Sequence, residues 1–257
     1  MKEFSRTFTL LRHTLRSSEI RHKLMKECKE LASKHFPLEV ALTKQMDKIY
    51  YEVLKRTGDI KPQTYAQKAN YALASQSYRL LHCTLDTLEA GYYEVSMSLL
   101  RSVYERILQM NYFATYQDAA RQWLEEDKKI SQQEIRNKLG IRAELYEMLS
   151  IHYTHSLKAI SIDPLVFEKA DGKLSLNLYP VYSPAPCRLC LMSWIAFAQQ
   201  TIQQMQRVFK AEQISDKSWI RKVVEVQNVT NQYLNEMKLQ VKKEMEFTTN
   251  SATESEQ

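Results

Sequence analysis

The sequence predicts an all-α fold, a bundle of about eight helices with one small inserted β-hairpin. The 257 residues include only four Gly and six Pro. Because repeated turns consume both residue types, their scarcity favours long helices over a sandwich or barrel. Residues 92–116 also carry the strongest apolar helical pattern in the chain, whose apolar positions, Val95 among them, fill an arc of roughly 220° around the axis. We therefore expect this helix to be central, with the rest of the chain packed around it.

One strip of the predicted central helix is polar. Glu94, Arg101, Glu105 and Tyr112 lie along it. Arg101 and Glu105 are four residues apart, so they can form an ion pair along the helix. Together with His152 or His155 from a later helix, they are the candidates for a polar cluster. Such a cluster could join helices or hold a phosphodiester, and the sequence leaves both open.

The N-terminal segment is basic. Residues 1–35 hold nine Lys or Arg against four Glu, most of the net charge of +6. Over residues 4–16, one helical stripe is apolar (Phe4, Phe8, Leu11, Leu15), while Arg6, Arg12, His13 and Arg16 lie mostly away from it. Such a segment can dock on another helix or lie on an anionic surface. The candidate nucleic-acid or anion-binding residues are Arg6, Arg12, Arg16, Arg21 and Lys23.

Further helical segments are predicted, in chain order, over residues 17–35, 38–56, 62–90, 117–129, 131–140, 142–159, 187–211 and 216–245. Pro62 is expected to open the third of these, and Gly91 to form the tight corner after it. Asp118 is expected to cap the helix anchored by Trp123. Ser131 with Glu134 is typical of a capping box, and Gly140 of a helix end.

Residues 166–178 interrupt the helical pattern. They read VFEKADGKLSLNL, and Asp-Gly between extended segments is a strong hairpin signal. Pro180, Pro184 and Pro186 are then expected to keep the following loop extended. The predicted organisation is a basic N-terminal pair of helices at 1–60, a main bundle at 61–247 and a disordered tail at 248–257.

Composition also excludes several classes of protein. No run of about 18 apolar residues exists, so no membrane span is expected. The N-terminus lacks the apolar core of a signal peptide, which predicts a cytoplasmic location. No glycine-rich phosphate loop or known hydrolase motif is present, so no nucleotide cofactor is expected.

Three pieces of the sequence carry a family resemblance: LLRSVYERILQMNYF, AARQWLEE and YEMLSIHYTHS. They resemble a family of uncharacterised all-helical bacterial proteins, a domain of unknown function, over roughly residues 70 to 210. That family has an Arg-x-x-x-Glu helix, an aromatic-containing helix and a Tyr-x-x-Leu-Ser helix followed by His. The matching positions here are Arg101, Glu105, Trp123, Tyr146, Leu149, Ser150 and His155. His155 stands five residues after Ser150 where four are expected. The resemblance implies a helical bundle and no established activity.

Three functions remain open on sequence grounds. The leading hypothesis is a non-catalytic interaction or regulatory protein of a bacterial cytoplasmic system, associated with phage defence or mobile elements, that binds itself or another protein. The first alternative is a ribonuclease-like effector with Arg101, Glu105 and His155 as catalytic residues. Defence ribonucleases place Arg and His a few residues apart on one helix, a spacing matched here by Arg16 and His22.

The second alternative is a zinc-binding protein. Its ligands would be His152, His155, Cys187 and Cys190, two helical pairs that would have to converge. Buried, non-reactive cysteines are the competing interpretation of the CxxC pair. The thioredoxin context that a redox CxxC needs, a βαβ pattern, is absent from the sequence.

Overall fold

The computed structural model describes residues 2–142, 166–168, 174–176, 180–210 and 221–236, with side chains described from Ser18 onward and outside the two strands. Within these ranges it contains eight helices, which confirms the all-α class. Their bounds are α1 Lys2–His35, α2 Pro37–Gly58, α3 Tyr65–Glu89, α4 Tyr93–Thr115, α5 Gln117–Glu126, α6 Gln132–Leu139, α7 Pro184–Phe209 and α8 at residues 221–236.

Helix α4 lies at the centre of the described bundle, as its sequence pattern predicts. It packs against α3, α5, α6 and α7. The largest buried side chains, among them Trp194, Tyr50 and Phe113, come from α7, α2 and α4. Burying apolar surface of this size is the dominant favourable term in folding.

Two predicted positions on α4 are wrong. Val95 was expected in the apolar arc, but it is 48% exposed, because Tyr93, Ser96 and Met97 occupy the core-facing side of these first turns. Tyr112 was expected on the polar strip, but it is 6% exposed. Its ring packs against Phe113 and Tyr116, with centroids 5.8 and 4.7 Å away. Packing against these two rings therefore buries Tyr112, although its position on the helix falls on the predicted polar strip.

The N-terminal helices differ from their predicted bounds. Residues 4–16 and 17–35 form one continuous helix, α1, because residues 2–35 contain no Gly or Pro to interrupt it. Helix α3 begins at Tyr65 and not at Pro62. Its N-cap is Thr64, whose side chain accepts from the backbone of Gln67, while the Gln67 side chain accepts from the backbone of Thr64. This capping box fixes the start of the helix.

Two later helix starts also differ. Helix α5 is preceded by Tyr116 as its N-cap, so Asp118 lies in the first turn, where its charge meets the positive end of the helix dipole. Pro184 and Pro186 are not in an extended loop but in the first turn of α7. Amide groups of a first helical turn have no intrahelical partner, so proline is tolerated there. The ends of α6 agree with prediction, since Ser131 accepts from the Glu134 amide and Gly140 follows at φ +63°.

Helix α8 packs onto the bundle through polar contacts with two helices, α7 and α2. Gln199 of α7 donates to Asn231 at 2.7 Å, and Tyr233 donates to Glu39 of α2 at 2.8 Å. Val223, Thr230 and Tyr233 are its buried positions. These contacts bring the last described helix against the start of α2.

Two three-residue strands lie inside the segment predicted as a hairpin. β1 (Val166–Glu168) and β2 (Leu174–Leu176) pair antiparallel, with Val166 opposite Leu176. The predicted turn at Asp171-Gly172, the predicted helix beyond Arg142 and the tail at 248–257 lie outside the described residues. Among the helices of the described ranges, none has the length and apolarity to cross a membrane.

Candidate functional site

Arg101 and Glu105 form the ion pair that their spacing predicts. Arg101 Nε lies 3.2 Å from Glu105 Oε1, and the two side chains are 19% and 27% exposed. The pair is thus partly buried on α4, neither in the core nor free in solvent. A half-buried pair of this kind can orient neighbouring groups, but it is also an ordinary way to satisfy two charges on a packed helix.

The neighbouring cation on α4, Arg106, is held by the fold. Its Nε donates to Gln76 of α3 at 3.2 Å, and its Nη1 donates to the Ser102 carbonyl at 2.8 Å. Burial has the largest effect on the pKa of Arg106 and lowers it, while the negative charge of Glu105 raises it. A guanidinium still carries its charge at neutral pH. The contacts of Arg106 therefore join α3 to α4.

The two histidines proposed to complete this cluster lie outside the described residues. His152 and His155 belong to the predicted helix at 142–159, so their convergence with Arg101 and Glu105 stays a prediction. The same holds for the Tyr146, Leu149 and Ser150 positions of the family resemblance. Trp123, the remaining position, stacks on Phe113 with centroids 5.2 Å apart.

The two cysteines of the CxxC motif are completely buried on α7. Burial raises the pKa of Cys187 to about 12 and also raises that of Cys190. Since the thiolate is the nucleophile, both sulfurs are poor nucleophiles while the protein is folded. The other two proposed zinc ligands, His152 and His155, lie outside the described residues, so the zinc site stays a prediction. In the part of the chain that the structure describes, no group of three or more His, Cys, Asp or Glu could hold a metal. The arrangement favours the interpretation of these cysteines as packing residues.

The basic N-terminal residues lie on α1. Arg21 and Lys23 are exposed, and Arg6, Arg12 and Arg16 lie on the part of the helix whose side chains are not described. A cleft of about 320 Å³ opens where α1 leaves α3, lined by His22, Met25, Lys26, Lys29, Asp86, Glu89 and Ala90. Lys29 forms an ion pair with Glu89 across it. Charges of both signs line this cleft, unlike the one-signed surface that nucleic acid selects.

Every described side chain from residue 18 to residue 23 is exposed. Six consecutive residues cover more than one and a half helical turns and therefore all sides of the helix. Among the described side chains of α1, from Ser18 onward, the buried ones are Cys28 and Ala32, and α1 packs on α2, α3 and α7. Residues 18–23 of α1 therefore have no buried side chain in the described bundle, and the helix continues from them to Lys2. We call residues 2–23 the α1 arm.

Sequence reasoning missed two polar networks. In the first, Glu39 is buried and accepts from Arg188 at 3.2 Å and from Tyr233 at 2.8 Å. In the second, His82 Nε2 lies 2.9 Å from Asp47 Oδ1. Burial, followed by the charge and hydrogen bond of Asp47, raises the pKa of Tyr78 to about 12. Each network joins residues from separate helices. No local pattern in the sequence indicates that either network will form.

Comparison with known proteins gave no match among family models, curated proteins or solved structures.

Proposed function

We propose that this chain is a non-catalytic interaction protein whose binding element is the α1 arm. The observation that carries the proposal is the exposure of all six residues from 18 to 23, which leaves this part of the helix without a partner in the described bundle. The sequence of the arm is amphipathic and basic. This composition is typical of a helix that docks on a partner and not of a helix in the core of its own protein. The resemblance to a helical family of unknown function is compatible with this role.

The polar residues of α4 support the same conclusion. Arg101 is paired with Glu105, and Arg106 with Gln76 and a backbone carbonyl. The Arg101–Glu105 pair lies along α4 itself, and the Arg106–Gln76 hydrogen bond joins α4 to α3. A ribonuclease would instead use such residues to act on a bound phosphodiester. Ribonuclease activity is therefore the rival function, and a cleavage assay distinguishes it from binding.

The test compares catalysis with binding on the full-length protein. Purified chain is incubated with single-stranded RNA of mixed sequence, and cleavage is followed beside the variants Glu105→Gln and Arg101→Ala. We expect no cleavage by the wild type and no difference among the three. RNA cleavage that is lost in Glu105→Gln would contradict the proposal and support the ribonuclease function.

A second measurement places the binding element. The solution mass of each protein is recorded together with its absorbance at 260 nm, which reveals bound nucleic acid. We expect any assembly larger than the 30.3 kDa chain to be sensitive to substitutions in the α1 arm and insensitive to those at Arg101 and Glu105. The opposite pattern would contradict the proposal.

A further inference from the structure

One exposed ridge of α2 combines positive charge with an aromatic ring. Its four residues, spaced by four, three and four positions, are Lys44, Lys48, Tyr51 and Lys55. At 100° per residue they fall within an arc of about 60°, and no acidic residue of α2 lies in that arc. All four side chains are exposed, whereas Met46 and Val53 are buried on the opposite side of the helix. We call these four residues the α2 ridge.

The three lysines of the α2 ridge have no counter-ion. None of them forms an ion pair or a hydrogen bond in the part of the chain that the structure describes. The nearest acidic groups are engaged elsewhere, since Glu52 accepts from Arg56 at 2.8 Å and Asp47 Oδ1 lies 2.9 Å from His82 Nε2. Lys44 and Lys48 are four residues apart and repel each other. Both lie in the middle of α2, where the helix dipole does not favour a positive charge. An anionic partner would remove this repulsion.

The aromatic ring of the α2 ridge is supported from α3. The centroid of the Tyr51 ring lies 6.3 Å from that of Tyr78, with the ring planes 41° apart. Tyr78 also packs against Tyr50 at 5.1 Å and against His82 at 4.5 Å. Since Tyr50 is completely buried, this cluster connects the surface with the core. Tyr51 itself is 56% exposed, so a supported ring remains available to stack on a flat partner.

We propose that the α2 ridge binds single-stranded nucleic acid, with its lysines on phosphates and Tyr51 stacked on a base. A positively charged track with an aromatic ring along it is how proteins bind single strands without sequence preference. The ridge spans about 16 Å, which suits the smallest such sites of about four nucleotides. The inference goes beyond the proposed function, because it assigns a second surface and a second class of partner and does not depend on the α1 arm.

Two other anionic partners fit the ridge less well. A helix that lies on an anionic membrane buries a broad apolar face, and Tyr51 is the single large apolar side chain of the ridge. A nucleic-acid duplex offers phosphates to the lysines, but its base faces are covered by neighbouring bases and cannot reach Tyr51. The exposed ring therefore favours a single strand over both.

The stacking contact is tested with two substitutions of one residue. Fluorescence anisotropy of labelled oligo-dT and oligo-U, each of about 20 nucleotides, measures binding to the full-length chain at low salt. Tyr51→Ala removes the ring and should weaken binding about 5- to 100-fold, whereas Tyr51→Phe keeps the ring and should bind as the wild type does. No binding of either oligonucleotide by the wild type, or equal losses in the two variants, would overturn the inference. Tighter binding of a duplex of the same length would also overturn it.

The lysines are tested by the dependence of binding on salt. For single strands, the logarithm of the affinity falls with the logarithm of the salt concentration with a slope of about −0.7 per neutralised phosphate. Lys48→Ala should therefore make the slope less steep by about 0.7. Lys138→Ala, at an exposed lysine of α6, should leave it unchanged. Tyr51→Ala should lower the affinity without changing the slope, a separation that a general loss of structure would not produce. Equal changes of slope in Lys48→Ala and Lys138→Ala would overturn the inference.

Other locations of the binding give different results. Oligonucleotide binding that is lost when Arg12 and Arg16 are replaced by Ala, and is unaffected by Lys48→Ala, would assign the strand to the α1 arm and overturn the inference. Wild-type protein that sediments with phosphatidylserine vesicles but binds neither oligonucleotide would overturn it as well. Both results leave the proposed function standing. RNA cleavage through Glu105 contradicts the proposed function whatever the effect of Tyr51→Ala, so the two failures are distinguishable.

Discussion

Tyr233 donates a 2.8 Å hydrogen bond from its hydroxyl to Glu39 Oε1, across 194 residues of sequence. Arg188 donates to the same oxygen at 3.2 Å, so one buried carboxylate joins α2, α7 and α8. Hydrogen bonds to a charged group are stronger than those between neutral groups, and a buried carboxylate needs them. The contact holds the last described helix on the bundle.

The first prediction concerns this hydrogen bond. Tyr233→Phe keeps the ring but removes the donor, so we expect the free energy of unfolding to fall by about 1–3 kcal/mol. The measurement is the urea midpoint followed by far-ultraviolet circular dichroism. Tyr51→Phe is the control, because Tyr51 is 56% exposed and should change stability by less than about 0.5 kcal/mol. Equal midpoints for Tyr233→Phe and Tyr51→Phe would show that the bond does not stabilise the fold.

The second prediction compares two glycines that both have a positive φ. Gly91 has φ +81°, and a Cβ there would lie 2.9 Å from Cys28 Sγ and 3.1 Å from the Val181 oxygen. Gly140 has φ +63° with nothing within 4 Å of the added atom. Gly140→Ala should cost about 1 kcal/mol from the backbone alone, and Gly91→Ala about 2–4 kcal/mol because crowding adds to it. Thermal unfolding of the two variants measures the difference, and a larger loss at Gly140 would contradict this account.

The third prediction is a loss of stability at alkaline pH. Burial raises the pKa of Cys187 from 9.0 to about 12, and burial with Asp47 raises that of Tyr78 from 10.0 to about 12. The unfolded chain therefore releases these protons at lower pH than the folded protein. Their contribution to stability is full below about pH 9 and is lost as the pH rises toward about 12.

Urea midpoints between about pH 8 and pH 11 measure this loss. Cys187→Ala should make the midpoint fall less steeply with pH, because one of the shifted groups is removed. Cys83→Ala, at an exposed cysteine, should leave the slope of the wild type unchanged. A urea midpoint that stays constant over this pH range would contradict the prediction.

The fourth prediction separates apolar pairing from binding to phosphates. Self-association of the α1 arm through its apolar positions Phe4, Phe8, Leu11 and Leu15 would depend on buried apolar area, so raising the salt from about 50 to about 500 mM should leave its dissociation constant nearly unchanged. Binding through Arg6, Arg12, Arg16, Arg21 and Lys23 to nucleic acid would weaken steeply over the same range. Sedimentation at several salt concentrations, with a single-stranded DNA titration in parallel, distinguishes them.

Features that depend on local sequence could be predicted. The spacing of apolar residues gave α4 to within one residue at each end, and the spacing of Arg101 and Glu105 gave their ion pair, because both members lie on one helix. The start of α3 was missed although its signal, Thr64 followed by Gln67, was present. Pro62, two residues earlier, is an equally good opening residue by pattern alone.

Features that depend on the meeting of distant helices could not be predicted. Nothing near Glu39 indicates that Arg188 and Tyr233 will contact it, since that depends on how α2, α7 and α8 cross. The same is true of Asp47 with His82 on neighbouring helices. Tyr112 was placed on the polar strip of α4 by its angular position on the helix, whereas the rings of Phe113 and Tyr116 beside it decide its burial.

Hydrogen–deuterium exchange of the full-length protein, measured at two concentrations that differ about 100-fold, tests the central claim most directly. If the chain binds itself through the α1 arm, amides within residues 2–17 gain protection at the higher concentration. The peptides of α4 that contain Arg101 and Glu105 stay unchanged. A change confined to α4 would contradict the account, and protection in the arm that is the same at both concentrations would contradict binding of the chain to itself through the arm.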